Sequence, residues 1–193
     1  MPPPIVIAPP DPRWPAEFRR LGIPLRAALG DLALRVDHIG STAVPDLPAK
    51  DVIDIQVTVA ALDAAAIGAA LAPLGYTRVP EISGDHLPPG RDDAPAEWRK
   101  LYYRPPAGQR ATHLHVRQAG RANTRYALLF RDYLRADTGA AGAYGQIKQA
   151  LARLPPDDAD AYYDVKDPVC DLIMAAAERW AAAIRYAPGP SDL

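Results

Sequence analysis

The chain is short of cysteine, of a dominant charge and of long apolar runs, and each shortage closes off a class of protein. One cysteine, Cys170, leaves no intramolecular disulfide framework. It stands in an apolar helical pattern with Ile173 and Met174, which predicts a buried thiol rather than a nucleophile. The 22 Lys and Arg against 23 Asp and Glu leave a net charge of -1, so no whole-surface affinity for nucleic acid or an anionic membrane is expected, although a local basic cluster stays open. No apolar run is long enough to span a bilayer, and Met1-Pro2-Pro3-Pro4 lacks the cationic stretch of a secretion signal. The expectation is a cytoplasmic protein without a membrane partner. With no internal repeat and no linker parting two units, 193 residues at 49% hydrophobic content read as one domain with a sizeable core.

What is present has a clear order. After the stiff entry Pro9-Pro10-Asp11-Pro12, the residues Trp14, Phe18, Leu21, Leu25 and Leu29 recur at helical spacing up to Gly30, with Pro24 expected to kink that helix. Strands are expected at 32–39 and 52–59, the second central in its sheet because its apolar content is dense. A helix over 63–74 is capped by Asp63 and stopped near Gly75, and 76–79 is a further short strand. The Pro-rich, aperiodic segment 81–97 reads as a mobile lid. Strands at 98–104 and 112–117 are joined by Pro105-Pro106-Ala107-Gly108. Three helices, 123–136, 140–153 and 158–186, complete the chain, with Pro155-Pro156 between the last two. The fold class is α+β: a mixed sheet flanked by helices, with a helical C-terminal third.

The chemistry gathers around Gly40-Ser41-Thr42 and Asp54. A short Gly-Ser turn leaves backbone amides to face a phosphate, and Asp54, flanked by Ile53 and Ile55, must point away from the face those two bury. Residues two apart in a strand lie about 6.6 Å apart on one face, so Gln56 projects with Asp54. Hard cations such as Mg²⁺ take oxygen ligands and accept substrate phosphates as the rest of their shell; here Gln56 offers a neutral carbonyl where a second carboxylate would serve better, unless Asp51 supplies the charge. His113 and His115 share a face of their strand. They are candidates, with Asp54, for a two-His, one-carboxylate metal site, and His115 is also a candidate general base. Lys50, Lys100 and Arg104 are candidates to neutralise phosphate oxygens. Tyr162 and Lys166 have the Tyr-x-x-x-Lys spacing of short-chain dehydrogenases, but no Gly-rich dinucleotide turn accompanies them. Phe130 and Leu134 read as core, with Arg131, Asp132 and Arg135 forming helix-surface pairs or lining the site.

The ordered set His38-Ile39-Gly40-Ser41-Thr42-Ala43-Val44-Pro45, Ala49-Lys50, Ile53-Asp54-Ile55, Gly75-Tyr76, His113-Leu114-His115-Val116, Phe130 to Arg135, and Tyr162 with Lys166 resembles the GrpB family, small bacterial proteins whose domain is also fused to some dephospho-CoA kinases. The likeness runs from about Pro9 to the last helix. That family is similar to the nucleotidyltransferase superfamily, whose signature is a hydrophobic residue, Gly, then Gly or Ser, a gap, and Asp-hydrophobic-acid-hydrophobic. Ile39-Gly40-Ser41 and Asp54-Ile55 fit it, and Gln56 departs from it.

The resemblance implies a nucleotidyltransferase-like fold, a nucleoside triphosphate substrate, Mg²⁺ as cofactor, and transfer of a nucleotidyl group to a small-molecule or protein acceptor. In that reading Asp54 and His115 are catalytic; Gly40, Ser41, Thr42, Lys50 and Arg104 hold nucleotide or phosphate; Asp54, Gln56, His113 and His115 are the metal ligands. The partner is a nucleotide or a phosphorylated small molecule, and nucleic acid is not expected. Two other readings stay open: a catalytically degenerate module that binds nucleotide or phosphate without turnover, and a metal-dependent hydrolase using Asp54, His113 and His115.

Overall fold

A computed structural model describes residues 5–153 and 159–193, so the expected break at Pro155-Pro156 lies outside the described residues. Helix α1 spans Trp14–Leu29 and runs through Pro24, burying Trp14, Phe18, Leu25 and Leu29. Strands β1 (Ala33–Ile39) and β2 (Ile53–Val59) follow, then helix α2 (Ala64–Leu71), whose first turn is capped by Asp63 accepting from the amides of Ala65 and Ala66. A short 3-10 turn over Ala72–Leu74 ends at Gly75, which takes a left-handed conformation. Strands β3 (Thr77–Arg78), β4 (Lys100–Arg104) and β5 (Thr112–Gln118) precede helices α3 (Ala122–Ala136), α4 (Thr138–Leu151) and α5 (Ala159–Ile184).

The five strands form one mixed sheet in the order β1-β2-β5-β4-β3, with β2 and β5 parallel and the other pairs antiparallel. The β2 strand is interior, as its apolar content predicted, and β5 holds the middle. Alternation along the strands gives the sheet two different faces. On one, Val36, Ile53, Ile55, Val57, Leu101, Tyr103, Leu114 and Val116 pack against α1 and α2 in a continuous apolar core. The other carries Asp37, Asp54, Gln56, Lys100, Tyr102, His113, His115 and Arg117, and the C-terminal helices lie over it. Those helices have an apolar cluster of their own, built from Leu129, Tyr133, Leu134, Tyr144, Met174 and Ala177 with Val44 and Leu47.

Three expectations need correction. The segment 81–97 is pinned rather than lid-like at its start: the amide of Asp85 donates to the carbonyl of Trp98 at 2.9 Å and that of Lys100 to Ser83 at 2.9 Å. Its stretch Pro95–Trp98 is a 3-10 turn that buries Trp98. Cys170 is half-buried, not sealed. Arg131 is no surface residue; it is 3% exposed and donates to the carbonyl of His38 and to Asp192, each at 2.9 Å, tying α3 to β1 and to the chain's last residues.

Candidate functional site

The sequence puts a charged residue on a buried face of β2 and glycine at the end of β1, and the register brings the two together. Asp54 pairs with Ile39, so its side chain comes up beside Gly40. Gly40 has φ +70° and ψ -172°, a conformation costly for any residue with a Cβ. A methyl group there would sit 2.3 Å from Asp54 Oδ2. Only glycine lets the carboxylate occupy this place. After it, Ser41–Ala43 forms a single 3-10 turn.

Parallel pairing of β2 with β5 sets Asp54 opposite His113 and Gln56 opposite His115. His113 Nδ1 donates to Asp54 Oδ1 at 3.0 Å, and His115 Nε2 lies 3.8 Å from the same oxygen. Burial works to raise the Asp54 pKa, but the hydrogen bond from His113 and the neighbouring His115 imidazole outweigh it and hold the carboxyl well below the usual range. Asp54 is therefore an anion under all ordinary conditions. His115 is pushed down to about 4, first by burial and then by Arg117, and is neutral at physiological pH.

Asp54 stands between two chambers. The first, of about 220 Å³, is lined by Ser41, Lys50, Asp54, His113, Lys148 and Lys166, with Tyr162 and Tyr163 at its wall. Lys50 Nζ lies over both tyrosine rings, 4.7 and 4.6 Å from their centroids, and donates to the Tyr163 hydroxyl at 2.8 Å. Lys148 is 2% exposed and donates to Ser41 Oγ at 2.9 Å and to the carbonyl of Pro48. Burial first, and then the charge of Lys166, bring its pKa down to about 7. The second chamber, of about 270 Å³, has Trp98, Tyr126 and Phe130 in its wall and is reached by Asp54, His115 and Lys166 from one side.

The predicted site residues separate accordingly. Ser41, Thr42, Lys50, Asp54 and His113 gather at the first chamber and Gly40 lines the second, although the Thr42 hydroxyl is turned to His38 Nε2 at 3.0 Å and to the carbonyl of Val52 at 3.2 Å. That leaves the Ser41 hydroxyl, which accepts from Lys148, as the side-chain donor the turn keeps at this chamber. His115 opens on the second chamber instead, and its ring stands at 84° to that of His113. Arg104 is exposed and lines neither chamber. Lys100 is held by Asp85 at 2.6 Å. Asp51 points elsewhere, accepting from the Trp14 indole at 2.8 Å and pairing with Arg110.

Gln56 leaves the ligand set. It is fully buried, its Oε1 accepts from Arg117 Nη1 at 2.6 Å, and its Nε2 donates to the carbonyl of Thr124 at 3.4 Å. Among the described residues, Asp54, His113 and His115 do bring one ligand atom each within 4.8 Å of one another. A metal-bound imidazole normally donates its other N-H to an acceptor. The outer nitrogen of His115, Nδ1, instead faces Arg117 Nη2 at 3.4 Å, and a guanidinium has only donors to offer. Arg117 is fixed there by two bonds to Asp85, at 2.8 and 2.9 Å. The contact therefore favours the tautomer with its proton on Nε2, toward Asp54, which is wrong for a ligand. The donors fit one hard cation held by Asp54 and completed by substrate oxygens better than a three-residue transition-metal centre.

Lys148 and Lys166 were not among the predicted phosphate ligands. A signal for Lys148 existed: Ala141, Tyr144, Gly145 and Lys148 fall at i, i+3, i+4 and i+7, so the lysine belongs to the buried stripe of α4. The Tyr162 and Lys166 pair, one turn apart, lines the first chamber, and Lys166 borders the second as well.

The sequence model of a family described as "GrpB protein" matches residues 4–176. A dephospho-CoA kinase of Mycolicibacterium paratuberculosis is 38% identical over 198 residues, a match covering 96% of this chain and 49% of that protein. A UPF0157 protein of Pseudomonas aeruginosa is 37% identical over 177 residues, covering 90% of this chain and 67% of its own length. The crystal structure of a conserved protein GrpB from Enterococcus faecalis superposes with a TM-score of 0.70 at 28% identity, covering 91% of this chain and 99% of that one. The chain spans about half the length of the dephospho-CoA kinases it matches. Among the described residues no helix is long and apolar enough to cross a membrane.

Proposed function

The chain belongs to the GrpB family, and from that premise we propose that it binds a nucleoside triphosphate with Mg²⁺ and transfers a nucleotidyl group to a small-molecule or protein acceptor. One observation carries the reading: an ionised, partly exposed Asp54, set against Gly40 of the Gly-Ser turn, borders a chamber where Lys50, Lys148 and Lys166 converge. Three lysines and one carboxylate around a small cavity suit a polyphosphate that arrives with its own metal ion. Mg²⁺ supplies charge neutralisation and draws electron density from phosphorus when bound. In the chain itself, Asp54 is the anchoring carboxylate, the Ser41 and Thr42 amides and the three lysines hold phosphate oxygens, and His113 and His115 keep Asp54 ionised and oriented.

Titration calorimetry of the folded protein with Mg²⁺ and each of the four nucleoside triphosphates tests this. Saturable binding of at least one is expected, and binding of none refutes it.

A second reading, binding without turnover, is favoured by Gln56. The position where the superfamily signature places an acid is an amide committed to Arg117. Replacing Asp54→Asn separates the two readings: a measured transfer activity that collapses supports the enzyme, whereas undetectable activity with unchanged ligand affinity supports the module. A hydrolase with Asp54, His113 and His115 as joint metal ligands is opposed by Arg117 at His115 Nδ1.

A further inference from the structure

Neither chamber alone reaches the roughly 300 Å³ at which ligand pockets begin, yet they meet at Asp54 and Lys166, which border both. The second chamber has a different character. Trp98 packs edge-on to Tyr126 at 5.8 Å, and the Tyr126 and Phe130 rings run parallel, 6.3 Å apart with their planes at 7°, giving one side an aromatic wall. Such a wall suits a planar or apolar body.

Its polar side is built and incomplete. Asn123, 2% exposed, lines this chamber, and its Nδ2 donates to Asp85 Oδ2 at 3.0 Å and to the carbonyl of Arg99 at 2.9 Å. Both partners are acceptors, so the amide orientation is fixed. Its Oδ1 is buried and has no hydrogen-bond partner among the described residues. An orphaned acceptor of this kind costs free energy until a donor meets it. Asp85 beside it cannot serve, being an acceptor already engaged by Lys100, Arg117 and Asn123.

We propose that the second chamber binds a planar ring bearing an N-H donor, the ring against Tyr126 and Phe130 and the donor on Asn123 Oδ1. The inference rests on the phosphate reading of the first chamber for its biological sense, but not for its test. Two sources supply this chemistry, the base of the bound nucleotide or an amine-bearing acceptor, and they are separable by competition.

The probes are adenosine, cytidine and tyramine, titrated into the intact chain by calorimetry or NMR, with N6,N6-dimethyladenosine as a ligand that keeps the adenine ring and loses the amine donors. At least one amine-bearing probe is expected to saturate; if it is adenosine, the dimethyl analogue should bind at least tenfold more weakly. Ala127→Leu, which fills the chamber from α3, should weaken the bound probe at least tenfold while leaving pyrophosphate binding in the first chamber unchanged. Displacement of the probe by a saturating triphosphate assigns the site to the base, and retention assigns it to the acceptor; either supports the proposal. Failure of all three probes, a bound adenosine matched in affinity by its dimethyl analogue, or a bound probe indifferent to Ala127→Leu overturns it. Pyrophosphate binding on the same samples shows whether the phosphate reading stands or falls separately. Should Ala127→Leu fail to fold, the smaller Ala127→Val, read on whichever probe binds, decides in its place.

Discussion

Gly40 and Asp54 are in contact across the β1–β2 pair, with the carboxylate filling the space a side chain at Gly40 would need. The Gly-Ser turn and the carboxylate are thus one construction: the turn's glycine, having no side chain, is what leaves Asp54 room to stand at the junction of two chambers. Gly40→Ala should lower unfolding free energy by about 2–4 kcal/mol, from positive φ together with the 2.3 Å approach to Oδ2. Urea denaturation reads the stability, and phosphate binding should be lost in whatever fraction remains folded.

Lys148 makes a prediction in pH. Its pKa falls from 10.5 to about 7 because burial, then Lys166, disfavours its charge. The folded value lies below the unfolded one, so its neutral form is favoured in the fold and this group adds stability as pH rises from about 7 toward 10.5. Anion binding goes the other way, since only the ammonium attracts phosphate. Between pH 6 and 8 the pyrophosphate affinity of the native protein should fall roughly tenfold more than that of Lys148→Gln. Parallel profiles would remove Lys148 from the site.

Arg117 ties Gln56, His115 and Asp85 into one buried network. Arg117→Met should cost about 3–5 kcal/mol, because Asp85 keeps its charge and loses its main partner. A loss under 1 kcal/mol in thermal or chemical denaturation would mean that solvent relaxes the cluster.

His38 predicts an acid transition. Buried and stacked on Phe18 with ring centroids 4.8 Å apart, it is brought down from 6.5 to about 4, mainly by burial. Its folded pKa lies below its unfolded one, so stability is full above about 6.5 and is lost as pH falls toward 4, at a total on the order of 3 kcal/mol. His38→Phe should flatten that part of the stability profile, as followed by circular dichroism.

The elements with strong periodicity were legible from the chain. Trp14 to Leu29, Ile53 to Val59 and the helices of the last third fall within a few residues of their expected bounds, because apolar spacing alone fixes which face is buried. Asp54 was legible for the same reason, being the charged residue a buried strand must turn to its other face. Three-dimensional partners were not. Gln56 and His115 share a face with Asp54, but Arg117, two residues beyond His115, claims both, and strand spacing cannot reveal which neighbour a polar group will satisfy. Asp85 sits in a Pro-rich segment with no pattern, so its role as an anchor had no local signal. Lys148 is separated from Ser41 by over a hundred residues and reaches it only through the packing of α4.

The most direct measurement is a crystal structure of the protein with Mg²⁺ and a non-hydrolysable nucleoside triphosphate analogue. Phosphate density is expected in the first chamber, within hydrogen-bond reach of Lys148 and Lys166, with the cation on Asp54. A nucleotide bound elsewhere, or a first chamber that stays empty at saturating analogue, would contradict it.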